Sequence, residues 1–264
     1  MSEAPLLTSM DDRGVVTVTF NRPEVNNAYN GDMIQAILDA TDRLAGMQDA
    51  RAVLLKGNGR HFQAGADLGW IDSVRRQGPA ENLAASRATA EAVYRLNRLP
   101  VPVVALVQGA CFGGGTGIVA ACDVVLAAEN AVFSIAEVRW GLHAGIIVPQ
   151  LNDAMSVRQV RRYALTGERF DAQEARRTGL VHEVVPLAAL EARGQAILAA
   201  ILQNAPTALA RTKSHVLEHA FGGFGRDALE GLADSHARAR QGAEAAEGLA
   251  SFTEKRPASW APRN

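Results

Sequence analysis

Four short apolar runs constrain this chain more than any other feature: Val15–Phe20, Ala52–Leu55, Val103–Val107 and Val124–Ala127. Segments with a helical signal separate them. In Val15–Phe20 the pattern VVTVTF alternates apolar residues with threonine, and Asn21-Arg22-Pro23 ends it as a turn. Met33, Ile34, Ile37, Leu38, Thr41 and Leu44 then recur at helical spacing, so Asp32 to Ala45 reads as an amphipathic helix. The run Ala52–Leu55 is stopped by the loop GNGRHFQAGADL, and a polar helical stretch follows. The pattern then repeats as strand Val103–Val107, the glycine-rich GACFGGGTG, helix Ile118–Cys122 and strand Val124–Ala127. Strands with apolar residues on both faces, alternating with helices, predict an α/β sheet covered on both sides.

Beyond Asn152 the signal changes. Leu180–Val185 is the last plausible strand, and helices are expected over Ser156–Leu165, Asp171–Thr178, Leu187–Gln203, Pro206–Ala220, Arg226–Gln241 and Ala243–Glu254. Ser156, Asp171 and Ala205-Pro206 supply capping or early-proline signals. The expected organisation is a sheet-bearing core over 1–200 and a helical C-terminal region over 201–264, without repeats of 20 to 50 residues.

Composition narrows the partners. The 264 residues are 48% apolar and 21% charged, enough apolar side chain for a core. With 27 Lys and Arg against 28 Asp and Glu, no positive excess exists to hold a phosphate backbone, so nucleic acid is not expected as a partner. The longest apolar stretch, Leu99 to Val107, is interrupted by two prolines and is far shorter than the ~18 to 20 residues of a membrane span. The first residues carry Glu3, Asp11 and Asp12 instead of a basic segment followed by an apolar one, so a cytoplasmic protein is expected. Cys111 and Cys122 can form neither a disulfide framework nor a four-cysteine zinc site, and are expected to be reduced and structural.

Gly115 to Ala120, GTGIVA, fits the dinucleotide fingerprint formally and has Glu137 about 20 residues on. The context disagrees, because in that fingerprint the glycines follow the strand directly, whereas Gly113 stands well beyond Val107. His215-Val216-Leu217-Glu218-His219 matches a zinc-peptidase spacing, but it lies far in sequence from the glycine turns at Gly65 and Gly113, and two solvated histidines are expected with no metal. Two other loops can act together. Gly65 and Gly113-Gly114-Gly115 each follow a strand, where unpaired backbone N–H groups suit a developing oxyanion. The alternative, that the three glycines only permit close packing, stays open. Glu137 in VFSIAEVRWGLHAG follows a short strand in an apolar setting, where a lone carboxylate would have a raised pKa and could shuttle a proton. A surface ion pair with Arg139 is its alternative.

Taken together, NRPEVNNAYN, HFQAGADL, VVALVQGACFGGGTGIVAACDVVLA, FSIAEVRWGL, ALTGERFDAQEARRTGLVHEVVP and FTEKRPASW closely resemble the crotonase superfamily, the enoyl-CoA hydratase and isomerase group. The resemblance runs from Val15 to Trp260. It implies an α/β fold with a spiral core of ββα turns, a helical C-terminal region that makes trimers or hexamers, and a thioester substrate on coenzyme A, which is part of the substrate and not a cofactor. On this resemblance the oxyanion donors are the backbone N–H groups of Ala66 and Gly114. Coenzyme A contacts fall on Glu24, Val25, Asn27 and Ala28, on Ala64, Asp67 and Leu68, and on Phe252 and Lys255, which would reach a neighbouring subunit's ligand.

The chain also departs from that pattern. Typical hydratases of the group use two glutamates; the second matches Glu137, whereas the first falls on Gly117. The combination GGGTGIVAACD with SIAEVRWGL looks most like hydratases of methylglutaconyl-CoA in leucine breakdown and of isohexenylglutaconyl-CoA in acyclic terpene breakdown. Where those relatives read roughly GLVPA, this chain has Gly141-Leu142-His143-Ala144-Gly145, and His143 either reshapes the acyl pocket or is an inert substitution. The expectation is a hydratase with one catalytic carboxylate, Glu137, and with Gly117 leaving room for a branched acidic acyl group. Isomerase, decarboxylase and non-enzymatic binding relatives of the same fold are the alternatives.

Overall fold

The computed structural model describes residues 4–219 together with 243, 247 and 254–260. Its main sheet has six strands in the order β1 (Leu6–Met10), β2 (Val15–Phe20), β3 (Ala52–Gly57), β4 (Val103–Val107), β6 (Val124–Ala128) and β9 (Glu183–Val185). Only β1 runs antiparallel to its neighbour; the other pairs are parallel. A smaller sheet joins β5 (Ala110–Phe112), β7 (Val132–Ser134) and β8 (Phe170–Asp171). Single parallel bridges, Tyr29 to Ala66 and Gln63 to Cys111, extend this second layer backwards along the chain. Both layers therefore add their strands in sequence order. After β2, β3, β4 and β6 the chain makes a short extended stretch in the second layer, and a helix follows the first three of these: α1 (Gly31–Gly46), α2 (Leu68–Arg75) with α3 (Pro79–Asn97), and α4 (Gly114–Ala120). That advance of one strand per turn is the spiral that the resemblance implies.

Period-two alternation decides which core each strand residue joins. Val16, Val18 and Phe20 of β2 and Val103, Ala105 and Val107 of β4 face the larger core with Met33, Ile34, Ile37 and Leu44 of α1 and Ala92, Val93 and Leu96 of α3. Val15, Val104 and Leu106 point the other way, onto Leu190, Leu198 and Leu202 of α8 (Leu190–Leu202). Gly194 permits that approach, since a Cβ there would lie 2.8 Å from Leu106 Cδ2. Asn30 caps α1, its side chain accepting from the Met33 N–H at 3.1 Å, as a short polar residue before an apolar helix should.

The expected helices beyond Asn152 appear as α6 (Val157–Thr166), α7 (Ala172–Thr178) capped by Asp171, α8, and α9 (Pro206–His219), with α5 (Val148–Met155) before them. The expected strand Leu180–Val185 is shorter than its apolar run. Leu180 and Val181 are buried in a turn and only Glu183–Val185 pairs, with β6. The two helices expected over Arg226–Gln241 and Ala243–Glu254 lie largely outside the described residues. Helix α9 is tied to the sheet by Lys213, whose Nζ donates to Val101 O at 3.1 Å and to Asp123 Oδ2 at 2.7 Å. No described helix is long and apolar enough to cross a membrane. Cys111 and Cys122 are free thiols, and burial pushes both well above the usual thiol range.

Candidate active site

Two backbone turns meet at the rim of one cavity. In the loop after β3, the wholly buried Gln63 accepts the Gly65 N–H at 2.9 Å and donates to Gly65 O at 3.0 Å, folding the chain back on itself. Gly65 has a left-handed φ of +93°, and a Cβ there would come 3.1 Å from Phe112 O, so glycine is required. Tyr29 N–H then donates to Gly65 O at 2.9 Å and Asp67 N–H to Tyr29 O at 2.8 Å. The Ala66 N–H between them meets no acceptor among the described residues.

The second turn follows β5. Gly113, with φ +51°, donates to Ser134 O at 2.8 Å, and α4 opens at Gly114, whose N–H likewise meets no acceptor among the described residues. Packing and chemistry share these glycines. A Cβ on Gly114 would meet the Tyr29 ring, and one on Gly115 would lie 2.7 Å from Gln63 O. β5 stands between β4 and these glycines, so the dinucleotide geometry is absent here.

Both N–H-bearing turns border a cavity of about 570 Å³ that also holds Glu137. Glu137 opens a short 3-10 turn, Glu137–Trp140, after β7. Its Oε1 would be 3.3 Å from a Cβ on Gly113, and its Oε2 is buried without a hydrogen-bond partner among the described residues. Burial raises its pKa, offset in part by its own backbone N–H. No ion pair with Arg139 forms; Arg139 Nε instead donates to Gly167 O at 2.9 Å. A buried carboxylate with an unspent oxygen, beside two unspent N–H donors, can exchange a proton with a molecule whose carbonyl those donors hold.

The remaining expected residues fall into distinct places. Ala64, Leu68 and His143 border the cavity, and His143 Nδ1 accepts the Gly145 N–H at 3.2 Å. Glu24 is exposed and Val25 half-buried on the turn Pro23–Val25, and Ala28 O accepts from Arg22 at 2.6 Å. Asp67 caps α2 and lies 3.4 Å from Arg22. Asn27 does not present its side chain to a ligand: wholly buried, it accepts from Arg22 N and donates to Asn58 O and His61 O, joining two loops. Lys255 is exposed with a φ of +54°, and Phe252 lies outside the described residues.

Gly117 requires a correction. It was expected to leave room for an acyl branch, but a Cβ there would lie 2.6 Å from Ile147 Cβ and closer still to Ile147 Cγ2. Ile147 fills the space, and Gly117 does not border the cavity. A contact between positions 30 residues apart has no local sequence signal. Tyr29, Trp70, Ile147 and Arg169 also border the cavity and were missed for the same reason, although Tyr29 stands inside the quoted NRPEVNNAYN.

His215 and His219 are half-buried, less solvated than expected, whereas Glu218 is exposed. The three offer ligand atoms within 4.8 Å of one another, and His215 Nδ1 lies 3.5 Å from Glu218 Oε2. Adjacent turns of one helix bring such groups together without a metal, and the cluster is apart from the cavity.

Comparison with known proteins agrees with this geometry. Residues 11–263 match the family Enoyl-CoA hydratase/isomerase. The crystal structure of an enoyl-CoA hydratase from Shewanella pealeana superposes with a TM-score of 0.93 at 34% identity, over 97% of this chain and 96% of that one. Pseudomonas aeruginosa AtuE superposes with a TM-score of 0.94 at 34% identity, over 98% of this chain and all of that one. The mevalonyl-coenzyme A hydratase sidH of Aspergillus fumigatus is 30% identical over 261 residues, 97% of this chain and 94% of that protein. With its spiral fold and its carboxylate facing two unspent backbone donors, the chain belongs to the enoyl-CoA hydratase/isomerase family of acyl-CoA enzymes.

Proposed function

We propose that this enzyme adds water across the α,β double bond of a branched, glutaconyl-type acyl-CoA, using one carboxylate. The observation that carries the reading is the buried, unpartnered Oε2 of Glu137 in the cavity that Ala66 and Gly114 border. The thioester oxygen is held by the N–H groups of Ala66 and Gly114, and each such donor is worth ~3 kcal/mol in the transition state. Glu137 takes a proton from water as its oxygen bonds to the acyl β-carbon, and returns that proton to the α-carbon. The π electron pair passes through the enolate that the two N–H groups stabilise.

An acidic acyl group is supported by Arg139 and Arg169. Both border the cavity, and among the described residues their recorded partners are a backbone carbonyl and an aromatic ring, not a carboxylate. Arg139 is anchored on Gly167 O, and the Arg169 guanidinium sits 5.2 Å above the Phe112 ring. Such cations suit a substrate carboxylate, because a charge-assisted pair in a partly enclosed site replaces the water that both groups lose. The assembly is a trimer or hexamer in which Phe252 and Lys255 reach a neighbour's coenzyme A.

A second reading, double-bond isomerisation, is favoured by the cavity holding a single acidic side chain among the described residues, since moving a double bond needs one base and no water. Turnover of linear enoyl-, methylglutaconyl- and isohexenylglutaconyl-CoA in water enriched in oxygen-18 separates the readings. Label in the product, with the glutaconyl thioesters preferred, is expected. An unlabelled isomer overturns the hydratase reading, and preference for the linear thioester overturns the substrate assignment.

A further inference from the structure

Tyr29 is a polar group of the cavity, among others, that the hydration mechanism leaves unused, and its hydroxyl ends beside an oxyanion donor. Both of its backbone groups are committed to the loop that carries Ala66, so its Cα cannot drift. Its ring meets Trp70 edge to face, with centroids 6.0 Å apart. The missing side chain at Gly114 lets the ring tip approach: a Cβ there would lie 2.8 Å from the Tyr29 hydroxyl oxygen. The phenol therefore ends beside one oxyanion donor, in the same cavity as Glu137. Burial, and then the charge of Glu137, push its pKa well above the ordinary phenol range. It stays an O–H group, able to donate one hydrogen bond and to accept another.

Hydration by one carboxylate leaves a geometric gap. A single hydrogen bond to Glu137 fixes the distance of the water but leaves it free to turn about that bond, and attack needs one lone pair directed at the acyl β-carbon. The side of α4 at position 117 offers no second polar group, because Ile147 covers it. We propose that the Tyr29 hydroxyl is a further catalytic group, holding the nucleophilic water together with Glu137. The inference rests on the hydratase reading. As the water oxygen bonds to the β-carbon, Glu137 takes one of its protons and the π pair moves onto the thioester oxygen; Glu137 then delivers that proton to the α-carbon. Tyr29 keeps its proton throughout.

The test compares two reactions of the same protein before and after Tyr29→Phe. Hydration needs the water to be held. Exchange of an α-proton of a saturated acyl-CoA for deuterium needs only Glu137 and the oxyanion donors. In the variant, kcat for hydration is expected to fall by about 10- to 100-fold with KM within about twofold, while α-proton exchange stays within about threefold of the parent. Unchanged hydration overturns the inference. Equal losses in both reactions also overturn it, because they place Tyr29 in packing or in holding the oxyanion. A parent enzyme that exchanges the α-proton but does not hydrate overturns the hydratase reading itself, whatever the variant does.

Discussion

Replacing Gly117 by alanine should destabilise the protein, although alanine is the better helix former. In an exposed helix the exchange gains about 1 kcal/mol. Here the added methyl would stand 2.6 Å from Ile147 Cβ, where non-bonded carbons rest at about 3.5 to 4.0 Å. Roughly 1 Å of movement is needed, and Cβ is the branch point of Ile147, so no rotamer change supplies it. Ile147 is 1% exposed and cannot move outward. Overpacking of this kind costs about 1–3 kcal/mol, and the backbone-linked branch puts it at the upper end, leaving a net loss of about 2 kcal/mol. Urea unfolding of the parent, Gly117→Ala, Ile147→Ala and the double variant, at one protein concentration, measures this directly. Ile147→Ala removes Cγ2, the atom nearest the added methyl, and keeps only Cβ, so the clash is relieved in part and the double variant should be about 1–2 kcal/mol more stable than the sum of the single changes. A Gly117→Ala protein as stable as the parent, or strict additivity, would refute the packing argument. Gly117→Glu should correspondingly damage the fold instead of restoring a second carboxylate.

Glu137→Gln keeps the shape but removes the proton acceptor, so turnover should fall at least ~100-fold with thioester affinity little changed. Because burial raises the Glu137 pKa and the base acts only when ionised, kcat/KM of the parent should rise with pH through a value above the ordinary carboxylate range and be lost below it; a limb at or below that range would contradict the burial. Lys213→Met leaves Asp123 with only the Val103 N–H as partner and should cost about 2 kcal/mol, read as a lower urea midpoint. Solution mass should be a multiple of three subunits, and an active monomer would contradict the role given to Phe252 and Lys255.

The elements most legible in the sequence are those whose patterns are local. β2 and β4 have the expected limits, because alternation or a continuous apolar run bounded by turn residues is a property of adjacent positions. β1 was not anticipated. Four of its five residues are exposed, and its pairing of Leu6 with Phe20 is made by the neighbouring strand instead of by a pattern of its own. β8, two residues long, exists only through pairing with β7. For the site, Glu137 and the Gly65 and Gly113 turns were readable because a carboxylate in apolar sequence and glycines after strands carry their chemistry locally. Gly117 was misread because the absence of a side chain shows an empty position, not what fills it.

The sequence by itself determined the α/β class, the strands β2 and β4, the two glycine turns and the acidic residue between apolar neighbours. All of these follow from periodicity and from the backbone freedom of single residues. Only the tertiary structure decided that Ile147 occupies the space over Gly117, that Asn27 is spent on Asn58 and His61, and that Tyr29, Arg139 and Arg169 share a cavity with Glu137. The spiral stacks successive turns, so residues distant along the chain become neighbours. Close-packed side chains exclude one another at a scale of about 1 Å, and at that scale occupancy depends on the whole surroundings of a position instead of on its own residue type.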